Sequence, residues 1–97
     1  MNIDIGLLYR SFQRALLFNV PRKVRLISFS ITQEHFIEIL VVSEMDLDQE
    51  AKDHIFTAAG EVEGDFVGLF PCKITFEVSN KPAEAFRMLD HVVFAAA

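Results

Sequence analysis

The chain is expected to fold as an α+β domain in the order α-β-β-α-β-β, a mainly antiparallel sheet of about four strands with two helices packed on one face. Three observations predict this. Apolar residues recur at helical spacing in 3–19 and 46–66, and at every second position in 23–31, 36–43 and 72–79. Turn-forming residues separate these segments. Finally, 97 residues of which 52% are hydrophobic, ten of them Phe, suffice for one core and not two, so residues 1–97 form a single domain.

In residues 3–19, Ile5, Leu8, Phe12, Ala15 and Leu16 make a core stripe with Tyr9 at its edge, while Arg10 and Arg14 sit on the far side. Pro21 is expected to end this helix. Leu7, Leu17 and Phe18 fall outside the stripe, so either a loop covers them or they join a partner or dimer surface.

Residues 23–31 and 36–43 are β-branched runs around a polar break, and so predict a hairpin. Ile27, Phe29 and Ile31 alternate with Ser28 and Ser30, and Glu38 forces Ile37, Ile39 and Val41 inward, because an unpaired buried carboxylate is costly. Ile37 is expected opposite Phe29, and Ile39 opposite Ile27, across a loop of odd length. Leu26, Phe36, Leu40 and Val42 are left on the other face, which is therefore apolar enough for docking.

The stretch Asp46 to Phe66 is the second helix, with Leu47, Ala51, Ile55, Ala58 and Val62 on one side. Asp46 is the expected cap, with Gln49 reaching back to it and Asp48 and Glu50 placing negative charge at the positive end of the helix dipole. Phe56 lies roughly opposite the stripe, among Gln49, Asp53, Gly60 and Glu63, where packing on a sheet gives no reason for a phenyl ring. Phe66, Leu69 and Phe70 are then expected to close one end of the core. In the third strand Ile74, Phe76 and Val78 point inward, and Lys73, Thr75 and Glu77 outward. A short helical turn from Ala83 to Leu89 and a last strand from His91 to Ala95 complete the chain.

Charge narrows the partners. The net charge is −5, and from Glu44 to Asp65 eight acids face one base, whereas Arg10 to Arg25 holds five bases and no acid. A segregated acidic surface repels phosphate backbones and attracts basic partners, so no nucleic-acid binding is expected. If the helices lie side by side, Arg10 and Arg14 come within reach of Glu50, Asp53 or Glu61. No apolar run approaches the roughly 20 residues of a membrane span, no signal peptide is recognisable, and Cys72 stands alone; no membrane association and a cytoplasmic location are expected.

No catalytic constellation is apparent. His35, His54 and His91 are far apart, without ligand spacing, so neither a metal nor any other cofactor is expected. His54 is expected to be held by Glu50 and Glu61, Cys72 to be a buried structural residue, and Ser28, Ser30 and Ser43 to belong to no nucleophile elbow. The chain is therefore not expected to be an enzyme.

The run Arg14-Ala15-Leu16-Leu17-Phe18-Asn19-Val20, then Arg25, two adjoining strands and an acidic helix closing in Gly60-Glu61-Val62-Glu63-Gly64-Asp65-Phe66 resembles small bacterial immunity proteins of contact-dependent growth inhibition. The likeness spans roughly Tyr9 to Phe76. It implies a non-catalytic protein that binds and neutralises a cognate toxin domain, a nuclease with a basic surface, through an acidic face. Helix geometry, and not the family, nominates Glu50, Asp53, Phe56, Thr57 and Glu61 as partner-binding residues. The alternative is a homodimeric structural or small-ligand-binding module using Leu7, Phe18 or the outer sheet face.

Overall fold

The computed structural model describes residues 4–66, 72–82 and 85–96. Among these, the elements run α1 (Ile5–Leu16), β1 (Val24–Ile31), β2 (Ile37–Ser43), α2 (Gln49–Asp65), β3 (Cys72–Val78) and β4 (His91–Ala95). The expected α-β-β-α-β-β order is the observed one. The anticipated roles of Leu69 and Phe70, and the start of a helical turn at Ala83, lie outside the described residues. The sheet order is β3-β2-β1-β4. β1 pairs antiparallel with β2 and with β4, so the last strand is a full member of the sheet. β3 runs parallel to β2, the direction that a helical crossover through α2 produces.

Each helix start is fixed by an aspartate. Asp4 accepts from the Leu7 N–H and Asp48 from the Ala51 N–H at 2.8 Å, each satisfying an orphan donor of the first turn. The cap of α2 is thus Asp48 and not Asp46. Gln49 does not reach back; its Nε2 donates to Asp53 Oδ1 instead. Likewise α1 ends before Pro21 is reached, in a turn at Leu17 and Phe18.

Both helices cover the same face. Leu8, Phe12, Ala15 and Leu16 of α1 and Ile55, Ala58, Ala59 and Val62 of α2 pack with Ile27, Phe29, Ile37, Ile39 and Val41 in one core, and Leu47 is buried just ahead of α2. Ser11 meets Asp65 and Asn19 meets His54, so the helices run antiparallel. An aromatic cluster joins α1 to the sheet: Phe29 stacks on Phe12 at 4.7 Å and meets Tyr9 edge-on at 5.5 Å, with His91 at 5.0 Å.

The hairpin departs from its expected register by two residues. Ile31 pairs with Ile37, Phe29 with Ile39 and Ile27 with Val41. The cause is the turn. Thr32 N–H donates to Phe36 O, His35 N–H donates to Thr32 O, and His35 adopts φ 66°, the tight turn plus left-handed residue of a three-residue hairpin loop. An even shift preserves the faces, so Ile37, Ile39 and Val41 are core and Glu38 is exposed, as expected.

The outer face is not open as its apolar content suggested. Phe86 is buried against Leu26, Leu40 and Val42, with Leu89 and Val92 packed beside it. The β1 serines hold this cover in place: Ser28 Oγ accepts from Leu89 N–H at 2.9 Å and Ser30 Oγ from Asp90 N–H at 3.0 Å. Arg25 adds its guanidinium over the Phe86 ring at 4.8 Å. Val78, expected inward, is 46% exposed, because it ends an edge strand.

Candidate partner-binding surface

The side of α2 turned away from the sheet carries the five nominated residues. Glu50, Asp53, Thr57 and Glu61 are exposed, and Phe56 is 50% exposed. The helix period explains the grouping: with Ile55, Ala58, Ala59 and Val62 turned to the core, positions 50, 53, 57 and 61 fall on the opposite arc. Phe56 sits at the border of that arc nearest β3. Its ring meets Phe76 edge-on at 6.0 Å, and Lys52 Nζ lies 5.3 Å from the same Phe76 ring. The phenyl group is therefore braced on one side by β3, where the helix pattern alone placed polar residues around it.

The arginines of α1 leave these acids unneutralised. Arg14 pairs with Asp65 at 3.0 Å, and the other ion pair among the described residues joins Arg87 and Glu77. Neither Arg10 nor Arg14 is bonded to Glu50, Asp53 or Glu61, contrary to the contacts anticipated for side-by-side helices. Asp65 is held below the usual carboxylate range, first by the Ser11 hydroxyl, which donates to Oδ2 at 2.6 Å, and then by Arg14. Because the folded state lowers this pKa, the contact contributes stability above the ordinary carboxylate range and loses it as pH falls through the folded value. Ser11→Ala is expected to move the Asp65 titration up toward the ordinary value, which carboxyl NMR would detect.

The remaining reactive side chains are occupied. The Cys72 thiol is pushed up to about 12 by burial and by the negative charge and hydrogen bond of Glu63, so at neutral pH it is a thiol and not a nucleophile. Glu63 also accepts from the Cys72 N–H at 2.7 Å and ties the end of α2 to the start of β3. His54 Nδ1 lies 3.4 Å from Asn19 Oδ1, and not on Glu50 or Glu61 as expected. His91 packs against Tyr9 and Phe29. The groove between α1 and the end of α2 is open and lined by Leu7, Arg10, Ser11, Arg14, Asp65 and Phe66, with its charge centred on the Arg14–Asp65 pair. Among the described residues no group of His, Cys, Asp and Glu has the arrangement of a metal site, and no helix is long and apolar enough to cross a membrane.

The geometry is that of a small α+β module presenting an acidic helix face with an aromatic ring at its edge. The sequence matches the MafI2 immunity protein family over residues 6–96, and the chain belongs to that family. The match includes β4, beyond the stretch that carried the resemblance. No curated protein matches the chain. Membership makes this a small bacterial immunity protein of the polymorphic toxin kind, and it points to toxin neutralisation as the function, a cognate toxin as the partner and a non-catalytic role.

Proposed function

We propose that the protein neutralises its toxin in the cytoplasm by laying the outer face of α2 on a basic surface of the toxin domain. Glu50, Asp53 and Glu61 supply the charge, Thr57 hydrogen bonding, and Phe56 the apolar anchor. The observation that supports this most is the set of three exposed acids with no ion pair among the described residues, grouped beside a half-exposed ring. Surface charges of this kind do little for folding, since even a formed exposed pair contributes only about 0 to 1 kcal/mol. They do speed encounter with an oppositely charged partner and exclude others. A nuclease is the toxin class that fits best, because a nucleic-acid-binding surface must be basic and an acidic cover competes with the phosphate backbone.

Neutralisation is tested by co-expression with a cognate toxin domain. The native sequence is expected to restore growth. Asp53→Lys with Glu61→Lys is expected to fail while accumulating as folded protein, since both side chains are exposed and make no ion pair. Full protection by the charge-reversed protein would remove α2 from the interface.

A further inference from the structure

Leu16 to Asn19 form a turn whose backbone does not suit its sequence. Leu17 has φ −57° and ψ 121°, Phe18 has φ 67°, and the Asn19 N–H donates to Leu16 O at 3.0 Å. This is a type II turn, whose third position requires positive φ and ordinarily takes Gly or Asn. A phenylalanine there crowds its Cβ against the backbone. Its ring is also 100% exposed, and Leu17 beside it is 61% exposed. One residue thus carries two costs, backbone strain and a hydrated phenyl group, with no packing among the described residues to offset them. The other positive-φ residue that is not glycine among the described residues, His35, is unlike it: histidine tolerates this region better, and the conformation there closes the β1–β2 hairpin.

The position of the turn suggests what the ring is for. Asn19 Nδ2 donates to Ala15 O at 2.9 Å, while its Oδ1 meets His54 of α2 at 3.4 Å, so the turn is fastened against the second helix. His54 and Phe56 lie about 160° apart across the acidic side of that helix. The acidic arc is therefore bounded by Phe56 on the β3 side and by the Leu17–Phe18 turn on the α1 side.

We infer that the Leu17–Phe18 turn is a second apolar anchor for the same partner, a basic toxin domain that seats Phe18 in an apolar pocket beside the surface α2 covers. This rests on the proposed function above. Net charge and continuity with the α2 face favour such a partner over another copy of the chain: two copies, each of net charge −5, repel one another overall, while the bases Arg14, Arg22 and Lys23 flank the turn itself and the acids that attract a basic partner lie across His54 on α2. Strained residues maintained against folding stability are characteristic of binding sites, which gives the arrangement a physical reason.

The test replaces Phe18 with residues that suit the turn. Phe18→Gly and Phe18→Asn are each compared with the native protein for thermal midpoint, sedimentation and calorimetric affinity toward an inactivated cognate toxin domain. Both variants are expected to hold or raise the midpoint, because the strain is relieved, and to weaken binding about tenfold or more. Unchanged affinity, with Asp53→Lys still weakening the complex, would exclude the turn and leave the α2 interface standing. A clear fall in the midpoint of both variants would show that the ring packs within the chain. A native dimer that either substitution dissociates would assign the ring to a second copy. No binding of the native protein to that domain would overturn both the interface and the anchor.

Discussion

Phe29→Ala is expected to cost about 3 to 5 kcal/mol of folding stability, the usual range for deleting a buried phenyl ring and leaving part of its cavity. Phe29 is 0% exposed. Its ring is stacked on Phe12 and lies against Tyr9 and His91, so one side chain joins α1, β1 and β4. Net stability of a domain this size lies at about 5 to 15 kcal/mol, so the substitution removes a large fraction of it. The thermal midpoint should fall by on the order of 15 °C or more. A loss below about 1 kcal/mol would mean that the helices are not held to the sheet through this cluster.

Phe56→Ala should behave in the opposite way. The ring is half exposed and its recorded aromatic contact is the edge of Phe76, so truncation should cost the fold only about 1 kcal/mol. Affinity for the toxin domain should drop by about 2 kcal/mol or more, roughly thirtyfold, as expected for an aromatic anchor within a charged rim. Bracing by Phe76 helps here, since a ring already restricted loses less conformational freedom when a partner closes over it. A large fall in midpoint with unaltered affinity would return Phe56 to the core and end its role as an anchor.

Local chemistry made much of this fold legible. The helices and strands follow from the recurrence of apolar residues, and Glu38 set the inward face of β2 because a carboxylate avoids an apolar interior. The features that escaped depend on residues far apart or on backbone conformations without a sequence marker. Hairpin register was displaced because His35, where glycine or asparagine would signal the turn, takes the left-handed residue of the loop. Ser28 and Ser30 read as the polar half of an alternating strand, but their hydroxyls accept from Leu89 and Asp90 and roof the outer face. Asp46 and Asp48 both precede α2, and only the folded backbone, which brings the Ala51 N–H to the Asp48 carboxylate, makes Asp48 the cap.

The candidate surface was partly legible for the same reason. Helical periodicity alone groups Glu50, Asp53, Thr57 and Glu61, and it sets Phe56 apart from the core stripe. Periodicity cannot show that Phe76 of another element braces Phe56, or that Arg14 turns to Asp65 and leaves the three acids unpaired. The strained Phe18 was visible only as an apolar residue outside the α1 stripe. Its φ of 67° belongs to the turn and not to any pattern in the letters.

The most direct measurement of the α2 interface is a calorimetric titration of the inactivated toxin domain with the native protein and with the Asp53→Lys, Glu61→Lys variant, each at low and at physiological salt. The native protein is expected to bind, more weakly as salt screens the charges. The variant should bind at least about a hundredfold more weakly at low salt, because two attractive contacts have become repulsive. Equal affinities for the two proteins, unaffected by salt, would contradict the acidic face of α2 as the surface that meets the toxin.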